Sequence, residues 1–282
     1  MHREEKGVPL ISLPQNRKEE RIMNNSKKII WSIALIVVIV LIGVVGYGYF
    51  QKLTKEVKNP IVTMEVENFG TVKMELYPDQ APETVANFVA LANRGYYDGS
   101  TFHRVVKDFM IQGGTKNGDG STGAKLSDLK DGGEDKEYSI KGEFIANGVK
   151  NTIKFEEGIL GMARSDFSQY SSELTTESYN SGNAQFFIMT KENTSLNGNY
   201  TSFGKVIEGM DVVHQLENIE VKAPDDAEST GNTEVSTPVN APKITSIRVE
   251  TFGTDYGMPK TLTPFDYMSW MYKQYGIGGS TN

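Results

Sequence analysis

The stretch FHRVVKDFMIQGG at residues 102–114 carries the most information in this sequence. Side chains alternate across a β-strand, so Phe102 and Arg104 share one face of a strand, and Met110 and Gln112 share one face of the next. An arginine and a glutamine on the same faces as apolar residues are unusual for a barrel interior. On this pattern alone, a functional site and a half-buried hairpin whose arginine keeps its head in solvent explain these residues about equally well.

On both sides of this hairpin the chain is predicted to form short strands separated by turns. The apolar pattern predicts strands at 61–66, 71–76, 101–106, 109–112, 158–163, 185–190, 203–207 and 244–249. Two helices are predicted, one at 81–94, with Pro82 in its first turn and Gly95 after its last, and one at 210–216. Many short strands with two short helices are typical of a closed β-barrel, so the predicted fold class is mainly β.

Four segments of the chain lie outside these elements. Residues 116–139 and 165–183 are polar and predict long loops. Residues 217–241 contain Pro and several acidic residues with little apolar periodicity, which predicts a flexible excursion. Residues 254–282 form a C-terminal extension rich in aromatic residues, for which packing on the barrel and binding of a partner are both open.

Residues 29–50, IIWSIALIVVIVLIGVVGYGYF, are 22 consecutive residues without a charge. As a helix this run is about 33 Å long, which spans a bilayer core of roughly 30 Å. The alternatives are a buried core helix, which is rarely apolar on every face, and a cleaved signal peptide, whose apolar region is usually shorter. More basic residues precede the run than follow it, which predicts a cytoplasmic N-terminus.

The composition argues against several classes of protein. Without Cys the chain has no disulfide, no thiol nucleophile and no Cys-ligated metal, and 3 His argue against a His-based metal site. A net charge of −7 argues against a nucleic-acid partner. We therefore expect no metal and no nucleic acid. The sequence contains no Walker loop, Gly-x-Ser-x-Gly or His-Glu-x-x-His motif, so we also expect no cofactor. The lack of Cys also fits a bacterial surface protein, whose folding does not rely on disulfides.

Residues 102–114 resemble the signature of the cyclophilin peptidyl-prolyl isomerases, Phe-His-Arg-x-x-x-x-Phe-Met-x-Gln-Gly-Gly, at every fixed position. Further blocks follow in the family's order: APETVANF at 81–88, GILGMA at 158–163, AQFFI at 184–188, LNG at 196–198 and FGKVIEGM at 203–210. The resemblance covers residues 61–252. It implies a closed eight-stranded antiparallel barrel, capped by two helices, with an active site in a groove on its outer surface.

The resemblance also implies roles for individual residues. The catalytic positions are Arg104, Phe109 and Gln112. The substrate-binding positions are His103, Met110, Ala163, Arg164, Gln185, Phe187, Leu196 and Tyr200. In this family the arginine favours the lone pair that a prolyl nitrogen regains when its amide is twisted, a chemistry that requires no nucleophile, metal or cofactor.

Three positions depart from the family's pattern. Arg164 stands where many relatives carry an Asn that hydrogen-bonds the substrate backbone, and Tyr200 stands where many carry His. Ser195 stands where the cyclosporin-sensitive members carry Trp. We therefore expect isomerase activity together with weak cyclosporin binding.

These observations predict a single-pass membrane protein of a bacterial cell, with its catalytic domain outside the cytoplasm. The predicted parts are a cytoplasmic tail at 1–28, a transmembrane helix at 29–50, a stalk at 51–60, an isomerase domain at 61–253 and the extension at 254–282. Its expected partners are the membrane and proline-containing segments of exported proteins. The alternative is a surface binding module or holdase chaperone on the same barrel. The intact set of Arg104, Phe109, Gln112 and Phe187 favours the enzyme.

Overall fold

The computed structural model describes residues 16–54, 58–225 and 233–276. The chain divides into two compact units, residues 1–57 and 58–282, and each is described by itself. The described part of the first unit is one helix, α1 (Asn16–Thr54). Within it, Lys27–Phe50 includes a window with a mean hydropathy of 3.0 that no described residue buries. This helix is long and apolar enough to cross a membrane, as a span or as a signal sequence.

Helix α1 extends beyond the predicted span on both sides. The predicted tail, residues 1–28, is helical from Asn16, and the predicted stalk, residues 51–60, is helical as far as Thr54. Residues 16–28 contain no Pro or Gly, and most of them are good helix formers, so nothing local stops the helix. Residues 1–15 and 55–57 lie outside the described part of the chain.

The second unit is mainly β. Its strands β1–β12 are Ile61–Val66, Gly70–Leu76, Phe102–Val106, Met110–Gly113, Ser139–Ile140, Ile159–Met162, Phe186–Met189, Ser202–Glu208, Val221–Lys222, Thr237–Pro238, Ile244–Glu250 and Thr261–Leu262. Its helices α2–α6 are Pro82–Asn93, Leu126–Leu129, Thr175–Tyr179, Met210–Glu217 and Tyr267–Tyr275. Every strand and helix expected in this second unit is present, with ends that differ by at most one residue.

Eight of these strands form one curled antiparallel sheet in the order β11-β1-β2-β8-β6-β7-β4-β3. Alternate residues of β1 and β2 are buried inside the curl, as their apolar pattern predicts. An aromatic cluster fills this main core, because the ring of Phe88 on α2 lies 5.3–5.5 Å from the rings of Tyr97, Phe186 and Phe203. The burial of one face of α2 against the sheet holds the helix in place.

The predicted closed barrel is not confirmed, because β11 and β3 remain the edge strands of the sheet. The two edges meet beside the start of β3, where Thr101 and Lys243 form an isolated antiparallel bridge. Farther along β3, the N–H of Val105 donates to the carbonyl of Ser236 at 2.8 Å. The predicted excursion therefore occupies this edge, and β11 cannot pair along it.

The predicted loops and tail contain ordered structure. The 116–139 loop carries α3, and the 165–183 loop carries α4. The excursion forms a β9–β10 hairpin, and residues 226–232 within it lie outside the described part of the chain. In the C-terminal extension β12 pairs with β5, and the ring of Tyr267 lies 4.7 Å from the ring of Tyr170. The described part of the extension thus packs on the rest of the second unit.

Helix α2 has no side-chain cap of its own, since Ala81 precedes it. The carboxylate of Glu143 supplies the cap instead. This residue is 3% exposed and lies 59 positions after Thr84 in the chain. It accepts hydrogen bonds from the Glu83 N–H at 3.0 Å, the Thr84 N–H at 2.8 Å and the Thr84 hydroxyl at 2.7 Å. An anion at this end also interacts favourably with the helix dipole.

Replacing Glu143 with alanine should lower the free energy of unfolding by about 2–3 kcal/mol, because it leaves buried donors of α2 without acceptors. Thermal or urea unfolding followed by circular dichroism measures the change. The matched control is Glu156→Ala, which removes an exposed carboxylate and should change stability by less than about 0.5 kcal/mol. Equal stability of the two variants would contradict the capping role.

Candidate active site

The candidate site lies on the outer face of the curled sheet, opposite the main core. Alternation along β4 turns Ile111 into the main core and Met110 outward, and along β7 it turns Ile188 inward and Phe187 outward. The outward residues form a second apolar cluster of Met110, Phe155, Ile159, Phe187 and Met189. Two motifs far apart in sequence meet here because β4 and β7 are neighbours.

A cavity of about 190 Å³ opens beside this cluster. It is lined by Arg104, Phe109, Met110, Gln112, Ala163, Arg164, Phe187, Leu196 and Tyr200. All nine belong to the eleven site residues expected from the sequence. Six of the nine are apolar or aromatic residues, and its charged side chains are the two arginines. The arrangement can hold a small apolar ring beside a guanidinium.

Two residues that the sequence did not single out shape the floor of this cavity. A side chain on Gly161 would place its Cβ 2.1 Å from the Phe187 ring, so the glycine leaves room for that ring to lie over β6. The fully buried Phe155 stacks behind it, with ring centroids 5.6 Å apart. Phe155 lies in a segment without strand or helix periodicity, so the sequence carried no signal for this role.

Hydrogen bonds orient the guanidinium of Arg104 at the rim of the cavity. Its Nη1 donates to Gln112 Oε1 at 3.3 Å and lies 3.8 Å from the sulfur of Met110. The amide of Gln112 donates in turn to Gln185 Oε1 at 2.8 Å, and Gln185 donates to the carbonyl of Gly120 at 2.9 Å. This chain of amides ties the guanidinium to the 116–139 loop.

The opposite edge of the same guanidinium contacts a residue that sequence reasoning missed. Arg104 Nε and Nη2 donate to the two carboxylate oxygens of Glu234, at 2.7 and 2.9 Å. The hydrogen bond from Arg104 is the main reason that the pKa of Glu234 lies below its ordinary value. Glu234 belongs to the excursion, where the sequence has no motif that points to the site.

Arg164 is held differently from an asparagine that offers its amide to a substrate. Its guanidinium lies 4.4 Å from the ring centroid of Tyr200 and 5.3 Å from that of Tyr179, as cation–π contacts. Its Nε donates to the carbonyl of Asn199 at 3.3 Å, and its Nη1 to that of Ser165 at 3.2 Å. Arg164 therefore lines the cavity while aromatic rings and backbone carbonyls hold its guanidinium.

Two of the expected site residues do not line the first cavity. Gln185 lines a neighbouring polar cavity of about 170 Å³ with Gln112, Gly123, Ala163, Arg164, Ser165, Ser181 and Asn183. The ring of His103 packs against Gly120, and burial lowers its pKa, so it is neutral at pH 7. A half-buried neutral imidazole supports the loop beside the site and does not supply a charge to it.

Comparison with known proteins identifies the family to which this chain belongs. The family model for the cyclophilin type peptidyl-prolyl cis-trans isomerases matches residues 61–249. Peptidyl-prolyl cis-trans isomerase B of Bacillus subtilis is 36% identical over 156 residues, which cover 55% of this chain and 90% of that protein. Peptidyl-prolyl cis-trans isomerase-like 1 of Neurospora crassa is 37% identical over 167 residues, 59% of this chain and 84% of the relative.

A solved structure agrees with these relatives. The cyclophilin type peptidyl-prolyl cis-trans isomerase of Cryptosporidium parvum superimposes with a TM-score of 0.50 at 29% sequence identity, covering 68% of this chain and 98% of that one. Sequence similarity, fold and the shared motif lead to the same assignment. The chain belongs to the cyclophilin family and is a peptidyl-prolyl cis-trans isomerase.

Proposed function

We propose that this isomerase is a single-pass membrane protein of a bacterial cell, which acts outside the cytoplasm on proline-containing segments of exported proteins. The long apolar helix and the excess of basic residues before it support the anchor and its orientation. The chain's lack of Cys fits a bacterial surface protein, and exported proteins are the substrates that a domain on that side of the membrane would meet. The 61–253 domain would then work beside the membrane as nascent chains emerge.

The site residues act by stabilising a twisted prolyl amide. Rotation about an X–Pro bond is slow because amide resonance gives it a barrier of about 20 kcal/mol. When the amide twists, its nitrogen regains a lone pair, and the guanidinium of Arg104 stabilises that lone pair through an N–H donor. Because this interaction exists in the twisted state and not in either planar isomer, it lowers the barrier.

The cavity holds the proline ring in place while the X–Pro amide twists. The proline ring enters the cavity between Phe109, Met110, Phe187 and Leu196, and about 190 Å³ is enough for one such ring. Gln112 donates to the substrate backbone while it orients Arg104. Ala163, Arg164 and Gln185 border the neighbouring polar cavity, which takes the residues that precede the proline.

The placement of Arg104 beside Phe109, Gln112 and Phe187 in one cavity is the observation that carries the catalytic proposal. A binding module would have no need for a guanidinium held at the edge of a proline-sized cavity. An exchange assay by NMR with an Xaa-Pro peptide separates the two, since a binding module would retain the peptide without accelerating its isomerisation. Turnover at the uncatalysed rate would refute the enzyme mechanism.

Protease added to intact cells should digest the domain after residue 50 and spare a tag fused to the N-terminus. The reason is the basic flank before Lys27–Phe50, which retains the N-terminus in the cytoplasm. Immunoblots against the tag and against the domain measure both parts, and permeabilised cells, in which both are digested, are the control. A mature protein that begins after residue 50 would identify the apolar segment as a signal peptide and refute the anchor.

A further inference from the structure

The excursion between α5 and β11 is fixed to the sheet directly beside Arg104. Ser236 is 4% exposed, and its carbonyl accepts the N–H of Val105, the residue after Arg104, at 2.8 Å. The Ser236 N–H donates to the carbonyl of Lys222 at 3.1 Å, which joins it to the β9–β10 hairpin. The backbone hydrogen bond between Ser236 and β3 therefore places Glu234, two residues earlier, beside the guanidinium.

The contact between Glu234 and Arg104 uses one edge of the guanidinium and leaves the other available. Glu234 accepts one N–H from Nε at 2.7 Å and one from Nη2 at 2.9 Å, as a bidentate ion pair. Gln112 accepts one N–H from Nη1. Nη2 keeps a second N–H, and the second N–H of Nη1 faces only the weak acceptor sulfur of Met110 at 3.8 Å, so the end of the guanidinium can still donate to a substrate.

The carboxylate approaches from outside the cavity. Arg104 lines the cavity and Glu234 does not, and the Nη1 side of the guanidinium faces the cavity residues Met110 and Gln112. Glu234 thus binds the guanidinium on the side opposite to the substrate. A carboxylate that blocked the groove would be expected to line it.

We propose that Glu234 is a positioning residue for catalysis, which holds the Arg104 guanidinium in its donating orientation. The proposal rests on the catalytic role proposed for Arg104. A flexible arginine loses side-chain freedom each time it engages the twisted amide, and a fixed partner removes most of that loss in advance. Ground-state binding depends mainly on the apolar cavity, so the benefit appears in kcat and not in KM.

The test measures kcat and KM of the full chain in detergent by NMR exchange with an Xaa-Pro peptide. Glu234→Ala should lower kcat about three- to tenfold, the range expected for losing one ordered side chain, with KM within about twofold. Glu234→Gln, which keeps a single acceptor, should lower kcat less, and Glu234→Asp should recover part of the loss. The matched control is Asp225→Asn, which removes a charge from the same excursion but pairs with Lys222 at 2.6 Å and should leave kcat unchanged.

A second readout follows the guanidinium itself. The Arg104 Nε–H signal, assigned by its loss in Arg104→Lys, should be slow to exchange in the unmodified protein and fast in Glu234→Ala. Glu234→Gln gives the same comparison if the alanine variant folds poorly by circular dichroism.

Several results would overturn the proposal. They are a kcat unchanged or raised in Glu234→Ala, a change confined to KM, an equal loss in Asp225→Asn, or an Nε–H signal that does not respond. Failure of the catalytic site itself is distinguishable, because Arg104→Ala would then retain turnover. Loss of turnover in Arg104→Ala with unchanged kcat in Glu234→Ala would refute the positioning role alone.

Discussion

Arg104→Ala is expected to lower kcat/KM by about 10²–10³-fold while the protein remains folded. Removing one preorganised donor aimed at a developing charge typically costs about 2.7–4 kcal/mol of transition-state stabilisation. The side chain of Arg104 is partly exposed at the rim of the cavity, so its loss leaves the main core intact. Arg104→Lys should rescue poorly, because an ammonium cannot reproduce the planar set of donors that Gln112 and Glu234 hold.

A protease-coupled or NMR exchange assay with Xaa-Pro peptides measures this loss. Lys107→Ala is a suitable control, since Lys107 is an exposed cation in the turn of the same hairpin and does not line the cavity. It should keep kcat/KM within about twofold of the unmodified protein. Near-normal turnover in Arg104→Ala would exclude the lone-pair mechanism.

Cyclosporin should bind this protein weakly, and Ser195→Trp should tighten its binding by about two to three orders of magnitude. In sensitive family members the Trp at this position lays its ring against the drug and donates its indole N–H. Burying a large side chain contributes about 1.5–3 kcal/mol and a neutral hydrogen bond about 1 kcal/mol, while each tenfold in affinity corresponds to about 1.4 kcal/mol.

The structure indicates that Trp can replace Ser195 without disrupting the local turn. Ser195 is exposed on the short helix Thr194–Leu196, directly before the cavity residue Leu196. Its hydroxyl donates to Asn193 Oδ1 at 2.6 Å, and its N–H donates to the same oxygen at 3.1 Å. The second bond does not depend on the side chain, so a Trp retains it and the turn should persist.

Calorimetry with cyclosporin and the isomerase assay together test this prediction. Ser195→Trp should leave kcat/KM nearly unchanged, because other residues build the proline cavity. Thr194→Trp places the same ring one position earlier on the same turn and should not produce the gain. Tight cyclosporin binding by the unmodified protein would mean that the alignment around Leu196 is wrong or that another residue replaces the Trp.

The sequence by itself determined the longer strands and helices and most of the residues that line the cavity. Strands such as β1 and β2 follow from alternation, and α2 follows from an apolar stripe that begins at Pro82 and ends before Gly95. Nine of the expected site residues line one cavity, because the motifs that contain them lie on strands and turns with fixed side-chain directions. Short-range periodicity and a shared motif suffice for features of this kind.

Only the tertiary structure decided which distant residues serve those elements. Glu143 caps α2 across 59 positions, and Glu234 reaches Arg104 across 130. The excursion occupies the edge of β3, so β11 does not pair along that edge, and the predicted closure is not confirmed. The guanidinium of Arg164 lies over the ring of Tyr200, a contact that the sequence did not predict. No periodic pattern in the sequence identifies the partner of a carboxylate in a polar loop. The curl of the sheet and the place where the loop is attached to it determine that partner.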